Sequence, residues 1–367
     1  MSSEPASSAR RHALQVCGDA SVVEGPLQGY HHETYVFPLP GGAGTARPVR
    51  WKCREPRTEL LWFDRRCFAS EEELLDALSG RITGIPDILE FGGLRLQRFI
   101  EGRTLGSLWE SGLPVPEPLL RQIAQVFRQL AEVTAETLIV KRRCTGEDRP
   151  EDGDTDGFLE RLVCFTEENV YLRNLQRFEA LFGELGVDGD SFKKLRKQVP
   201  GLRERPFCLL HADLHRENFI VDRRGRLWTI DWELAMLGDP LYDLATHLHL
   251  MRYPTWQARR LTEQWCRTVE KVRRGSSNGW EQDLGRLLSY KKAQSVFTDV
   301  IRVALSLEPG QGEHGRHLAR SALRLRGVLA EAAVPLGLDR VPDPREITAA
   351  LARWCRTHGE PRRDLPG

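Results

Sequence analysis

Asp213, Asn218 and Asp231 constrain this chain more than any other residues. They stand in the run Leu210-His211-Ala212-Asp213-Leu214-His215-Arg216-Glu217-Asn218-Phe219-Ile220 and, after one short interval, in Ile230-Asp231-Trp232-Glu233. Upstream of Asp213 the neighbours are apolar (Phe207, Leu209, Leu210), as in a buried strand; downstream they turn polar. Phe219-Ile220-Val221 and Leu227-Trp228-Thr229-Ile230 flank the turn Asp222-Arg223-Arg224-Gly225. That pattern predicts a hairpin, and the hairpin brings Asn218 and Asp231 together.

A carboxylate at the end of a buried strand, with an amide and a second carboxylate nearby, suits phosphoryl transfer from a nucleotide. Asp213 would orient an attacking hydroxyl and accept its proton as general base, the alternative being a loop aspartate that caps a turn. Asn218 and Asp231 supply a neutral and a charged oxygen for Mg²⁺ against the phosphates. His215, two residues past Asp213, would touch either the γ-phosphate or the catalytic aspartate, or simply pack the loop. His211 is expected to serve the loop structurally by bonding backbone near Asp231. Gly238-Asp239-Pro240 is a turn and helix start, and Asp243 in the first turn behind it is expected to be a buried organiser of the catalytic loop.

The grip on the donor phosphates is expected from the first hundred residues. Lys52 and Arg54 lie in a strand-like run and point to the same face, so either is a candidate phosphate ligand, with Lys52 preferred. Ser70-Glu71-Glu72-Glu73 opens a helix with a capping serine and first-turn acids, offering an ion-pair partner to that cation. Gly25, Gln28 and Gly29 belong to a candidate loop over the phosphates that lacks a regular glycine pattern. Leu96-Gln97-Arg98-Phe99-Ile100 is a candidate hinge whose backbone would read a purine edge, or an ordinary edge strand.

Short β-like runs at 22–23, 33–37, 49–53, 87–91 and 94–100 surround the helix at 70–78, giving the order β-β-β-α-β-β. After Gly102 the apolar spacing becomes helical: Ile123, Val126, Phe127 and Leu130, then Leu159, Leu162 and Val163, then Leu284, Leu287 and Leu288. The expected organisation is a tail at 1–11, a nucleotide-binding lobe at 12–101 and a catalytic, acceptor-binding lobe at 102–355. A mobile acidic insertion is expected at about 144–157, and a second tail at 356–367. The 367 residues carry a net charge of +1, which gives no field for nucleic acid or an anionic membrane. Eight cysteines without a CxxC pair, no secretory leader and no span-length apolar run point to a cytoplasmic protein.

Together His211-x-Asp213-x-x-x-x-Asn218, Ile230-Asp231-Trp232-Glu233 and Gly238-Asp239-Pro240-x-Tyr242-Asp243-Leu244-Ala245 resemble the aminoglycoside phosphotransferase and choline kinase-like superfamily. The resemblance implies an α+β, bilobal protein-kinase-like fold: a small antiparallel β lobe with one helix, and a larger, mainly helical lobe. It implies ATP or GTP as phosphoryl donor, Mg²⁺ on Asn218 and Asp231, and Asp213 as base. It also implies Glu71 as helix partner of Lys52, Ile220 beneath the purine and Gln97 at the start of the hinge. Trp232-Glu233 stands where protein kinases carry Phe-Gly, and no Ala-Pro-Glu follows, which argues against a protein kinase.

The acceptor is a small molecule whose identity the residues leave open. Residues 147–190 hold thirteen acids against four arginines and no lysine. If they lined a cleft they would favour a cationic acceptor such as an aminoglycoside or amino alcohol; the rival is a solvated face with an insertion. Tyr290, Lys291, Lys292 and Arg302 would equally suit an anion. A nucleotide-binding regulator of pseudokinase type is the alternative function, against which the complete Asp213, Asn218 and Asp231 set argues.

Overall fold

The computed structural model describes residues 7–27, 32–39, 48–56, 65–146, 148–307 and 314–358. The chain begins with α1 (Ser8–Cys17), β1 (Glu24–Leu27), β2 (His32–Leu39), β3 (Val49–Pro56), α2 (Glu71–Leu78), β4 (Ile88–Phe91) and β5 (Leu94–Arg98). It continues with β6 (Arg103–Thr104), α3 (Leu105–Leu108), α4 (Glu117–Ala131), α5 (Thr155–Phe165), α6 (Arg173–Glu184) and α7 (Asp190–Arg196). Then come β7 (Cys208–Leu210), β8 (Phe219–Val221), β9 (Leu227–Thr229), β10 (Met236–Gly238) and α8 (Pro240–Met251). The last elements are α9 (Thr255–Val272), α10 (Trp280–Ser306), α11 (His314–Leu336) and α12 (Pro344–His358).

Two compact units share this chain. The first draws on Met1–Leu61, Arg66–Thr145 and Pro206–Ser276; the second on Trp62–Arg65, Gly146–Arg205 and Ser277–Gly367.

In the first unit five antiparallel strands run in the order β1-β2-β3-β5-β4. Strand periodicity divides its residues. Tyr35, Phe37, Leu39, Cys53 and Leu96 form one buried cluster with Ala9 and Ala13 of α1. The intervening residues Val36, Lys52, Arg54 and Gln97 therefore belong to the opposite face. Register agrees, with Lys52 opposite Val36 on one side and Gln97 on the other. Helix α2 starts where Ser70 accepts the Glu73 N–H at 3.2 Å, so the acids follow the cap as the sequence predicts. Gly92 and Gly93, with φ of 58° and 78°, make the β4–β5 turn, where both positions need left-handed backbone.

In the same unit β8 and β9 form the expected hairpin and β6 adds to its edge, while β7 pairs with β10. Apolar stripes predicted for α4 are buried at Ile123, Val126, Phe127 and Leu130.

The second unit is helical. A π-helical segment, Thr166–Leu172, joins α5 to α6. Its Tyr171 packs on Phe182, Phe192 and Phe297 with ring centroids 5.3–5.6 Å apart. Arg205 and Asp283 form a buried ion pair at 2.7 Å, and Asp283 also accepts the Arg203 N–H at 2.8 Å. Those added bonds offset the cost of burying charge.

Four local expectations change. Residues 8–11, expected in a tail, are the start of α1, which Ser7 caps and two small buried alanines hold to the sheet. The run at 22–23 is not a strand: Val22 ends a 3-10 turn and β1 begins at Glu24. Residues 155–157, expected in the acidic insertion, belong to α5, where Asp154 caps by accepting the Gly157 N–H at 2.8 Å. Residues 356–358, expected in the C-terminal tail, continue α12. Among the described residues no helix is long and apolar enough to cross a membrane.

Candidate active site

The loop carrying Asp213 leaves β7 at His211. His211 and Ala212 donate their N–H groups to the Asp243 carboxylate at 3.1 and 2.7 Å. Ala212 has φ 63°, a left-handed conformation that costs a residue with a Cβ about 1–2 kcal/mol. The buried Asp243, placed by the Asp239-Pro240 start of α8, holds that turn. Through Nε2 the His211 ring bonds the Ile230 carbonyl at 3.1 Å, and it lies 4.6 Å from the Trp232 ring. Burial pushes His211 down to about 4, so the ring is neutral at pH 7, with its proton on Nε2 facing the carbonyl.

Within the loop, Asn218 Nδ2 donates to the Asp213 carbonyl and to Asp213 Oδ2, both at 2.9 Å. This turns the Asn218 amide oxygen away from Asp213. His215 Nδ1 accepts the Glu217 N–H at 3.1 Å, so the ring proton sits on Nε2, 3.3 Å from Asp213 Oδ2. Burial opposes charge on His215, but the Asp213 carboxylate outweighs it and raises the imidazole pKa. Asp213 remains 25% exposed, so a substrate group can reach it. Arg216 anchors the loop from below, donating to the carbonyls of Met251, Trp109 and Leu113 at 2.8–3.0 Å.

Asp231 follows β9 with φ 64°, a second left-handed residue bearing a side chain. The Ile230 N–H donates to the Asn218 carbonyl at 3.0 Å, which joins the two segments directly. Burial raises the Asp231 pKa, as do Glu233 and Asp213, while Arg54 and Lys52 pull it down. Such a concentration of carboxylates suits a divalent cation. Among the described residues no cluster of three or more His, Cys, Asp or Glu side chains is arranged to hold a metal. Mg²⁺ takes one or two protein oxygens and completes its shell with phosphates and water, and Asn218 and Asp231 carry the oxygen types such a shell uses.

Glu71, not paired with Lys52 as expected, forms its ion pair with Arg54. Arg54 also reaches Glu72 at 3.3 Å, and its Nη1 stands 3.9 Å from Asp231. Glu71 Oε1 accepts the Trp232 N–H at 3.0 Å and Gln97 Nε2 at 3.3 Å, so one buried carboxylate links α2, β3, β5 and the Asp231 loop. Both cations share the sheet face, and the longer, forked arginine spans two carboxylates. Lys52 is half-buried; burial first, then Arg54, pushes its ammonium down to about 8.

The other described candidates lie just past β5, on β8 and on β1. Phe99 donates its N–H to Arg50 O at 2.9 Å, and its ring lies 4.7 Å from the Arg50 guanidinium. Ile220 is buried on β8, between Thr104 and Trp228 in register. Gly25 lies in β1 at φ 142°, where a Cβ would come 2.7 Å from the Tyr35 ring. Gln28 and Gly29 lie outside the described residues. Sequence reasoning missed the anchoring role of Arg216, although it sits inside the motif. It also missed His32 and Arg66 as partners of Glu233, which no local pattern announces.

Comparison with known proteins adds a family. A model of the phosphotransferase enzyme family matches residues 45–285. The crystal structure of macrolide 2'-phosphotransferase MphH from Brachybacterium faecium is similar at 16% identity and TM-score 0.50, over 91% of this chain and 97% of that one. A choline/ethanolamine kinase family protein from Mesorhizobium loti is 17% identical, with TM-score 0.44, over 87% of this chain and 92% of its own. The first likeness is one of fold: an antiparallel sheet with helices, of the α+β protein-kinase-like class.

Proposed function

The chain belongs to the phosphotransferase enzyme family, and from that premise we propose that it moves the γ-phosphoryl group of ATP or GTP to a hydroxyl of a small molecule. The observation that carries this reading is the junction of the two loops. Asp213 and Asn218 bond each other at 2.9 Å, and Asn218 is tied through the Ile230 N–H to the segment that presents Asp231 beside Arg54.

In this reading Asp213 takes the acceptor hydroxyl's proton late in transfer and holds the oxygen in line with the phosphorus. Asn218 Nδ2 and His215 Nε2 fix the carboxylate on one oxygen, leaving the other to face the acceptor. Asn218 Oδ1 and Asp231 would hold Mg²⁺, which when bound neutralises charge across the donor phosphates. Arg54, fixed by Glu71, and Lys52 lie on one sheet face and add positive charge at that end. Ile220 and the backbone at 97–100 are the expected contacts of the base.

At least four of the thirteen acids between 147 and 190 have partners within the second unit. Glu160 and Glu167 bind Arg196 at 2.8 and 2.6 Å, Glu184 binds Arg353, and Asp156 accepts the Gly201 and Leu202 N–H groups. These four carboxylates serve the second unit's own structure and do not count toward a cationic acceptor, and the acceptor class stays open. A panel of aminoglycosides, amino alcohols, sugars and nucleosides, with ATP and GTP as donors, tests the proposal. Phosphorylated product with at least one acceptor is expected; tight nucleotide binding with no transfer to any of them would favour a regulatory nucleotide-binding protein instead.

A further inference from the structure

Glu233 has no part in the proposed chemistry, yet its side chain is only 6% exposed. It pairs with Arg66 Nη2 at 2.7 Å and stands 3.5 Å from His32 Nδ1. The three meet at a cavity of about 210 Å³ whose wall also includes Arg54, Glu71 and Arg143. His32 is the first residue of β2, two positions before Thr34, which lies opposite Arg54 in register. Arg66 belongs to the same electrostatic cluster: burial lowers its pKa, Glu233 and Asp231 raise it, and Arg54 lowers it. A buried carboxylate two residues beyond Asp231 thus touches the start of the strand beside Arg54 and a cation leading into α2.

We propose that Glu233 is a positioning residue that holds His32 and Arg66 on the Asp231 loop and so sets the phosphate end of the donor site. This rests on the phosphotransferase reading. A carboxylate at this point ties the start of β2 and the segment before α2 to the Asp231 loop, a link the β8–β9 hairpin does not make. Its loss loosens the phosphate end while leaving the purine end, built on β5 and β8, in place.

The test compares binding of Mg²⁺·AMP-PNP with binding of adenosine (or their guanine counterparts, if GTP is the donor) by calorimetry. Glu233→Gln keeps the shape and removes the charge. It is expected to weaken the triphosphate analogue about tenfold, the scale of one lost charge pair, and to leave the nucleoside within about twofold. His32→Ala, which removes the other side of the His32–Glu233 contact, is expected to weaken the triphosphate in the same direction. The double variant is expected to lose less than the product of the two, and if Glu233→Gln does not fold, His32→Ala decides. Triphosphate affinity within about twofold of wild type in both variants would overturn the proposal, as would equal weakening of both ligands. A wild-type protein that binds neither ligand contradicts the phosphotransferase reading itself.

Discussion

The Arg54 guanidinium is paired with the carboxylate of Glu71, the first residue of α2. Glu71 is buried and also accepts the Trp232 N–H, so this pair joins the sheet to the segment bearing Asp231. Removing the cation leaves a buried charge uncompensated, at a cost of about 3–5 kcal/mol. Arg54→Ala is expected to lower the denaturation midpoint accordingly and to reduce kcat by about 10²–10³, as loss of a positioned donor does. Lys52→Ala is expected to stay within about 1 kcal/mol of wild type. Chemical denaturation and steady-state kinetics on both variants separate the two roles.

Lys52 gives a pH signature. Its ammonium is pushed down to about 8 by burial and by Arg54. The charge is present below that pH and lost above it. Nucleotide affinity is therefore expected to fall as pH rises through 8, with proton uptake on binding growing through pH 8 and greatest above it. Calorimetry in buffers of different ionisation heat reads this uptake, and Lys52→Met is expected to abolish it.

Asp243 holds a turn that the backbone resists. Asp243→Ala strands the His211 and Ala212 N–H groups and leaves left-handed Ala212 unsupported. The expected loss is about 2–5 kcal/mol, with Asp243→Asn, which keeps one acceptor oxygen, falling between. Urea unfolding of the three proteins checks the order.

Two buried histidines make the fold sensitive to acid. Burial pushes His211 down to about 4 and His247 to about 3; His247 bonds Leu214 O and the Tyr253 hydroxyl. The unfolded chain binds these protons first, near pH 6.5, so stability is fully present above that value. It falls as pH drops from 6.5 toward 4, by up to about 2.7 kcal/mol per pH unit for two protons. His247→Gln is expected to halve this contribution to the slope, measured as urea midpoints across the range.

The geometry of the candidate site was legible where it is local. Asp213 and Asn218 lie on one loop, and alternating residues around Asp222-Arg223-Arg224-Gly225 dictated the hairpin that ties Asn218 to the segment bearing Asp231. The choice between Lys52 and Arg54 was not legible, because a period of two puts both on one face; only the placement of α2 decides which meets Glu71. Helix α1 escaped notice because it buries just Ala9 and Ala13, too little for an apolar stripe. The partners of Glu233 come from positions 32 and 66, far apart in sequence, and nothing in either neighbourhood signals the contact.

The most direct measurement is acceptor-dependent turnover of wild type against Asp213→Asn, with nucleotide affinity determined on both. The variant keeps shape and loses the basic carboxylate, so phosphoryl transfer is expected to fall by about 10²–10⁴ while the nucleotide binds as before. Transfer at the wild-type rate in Asp213→Asn would contradict the account.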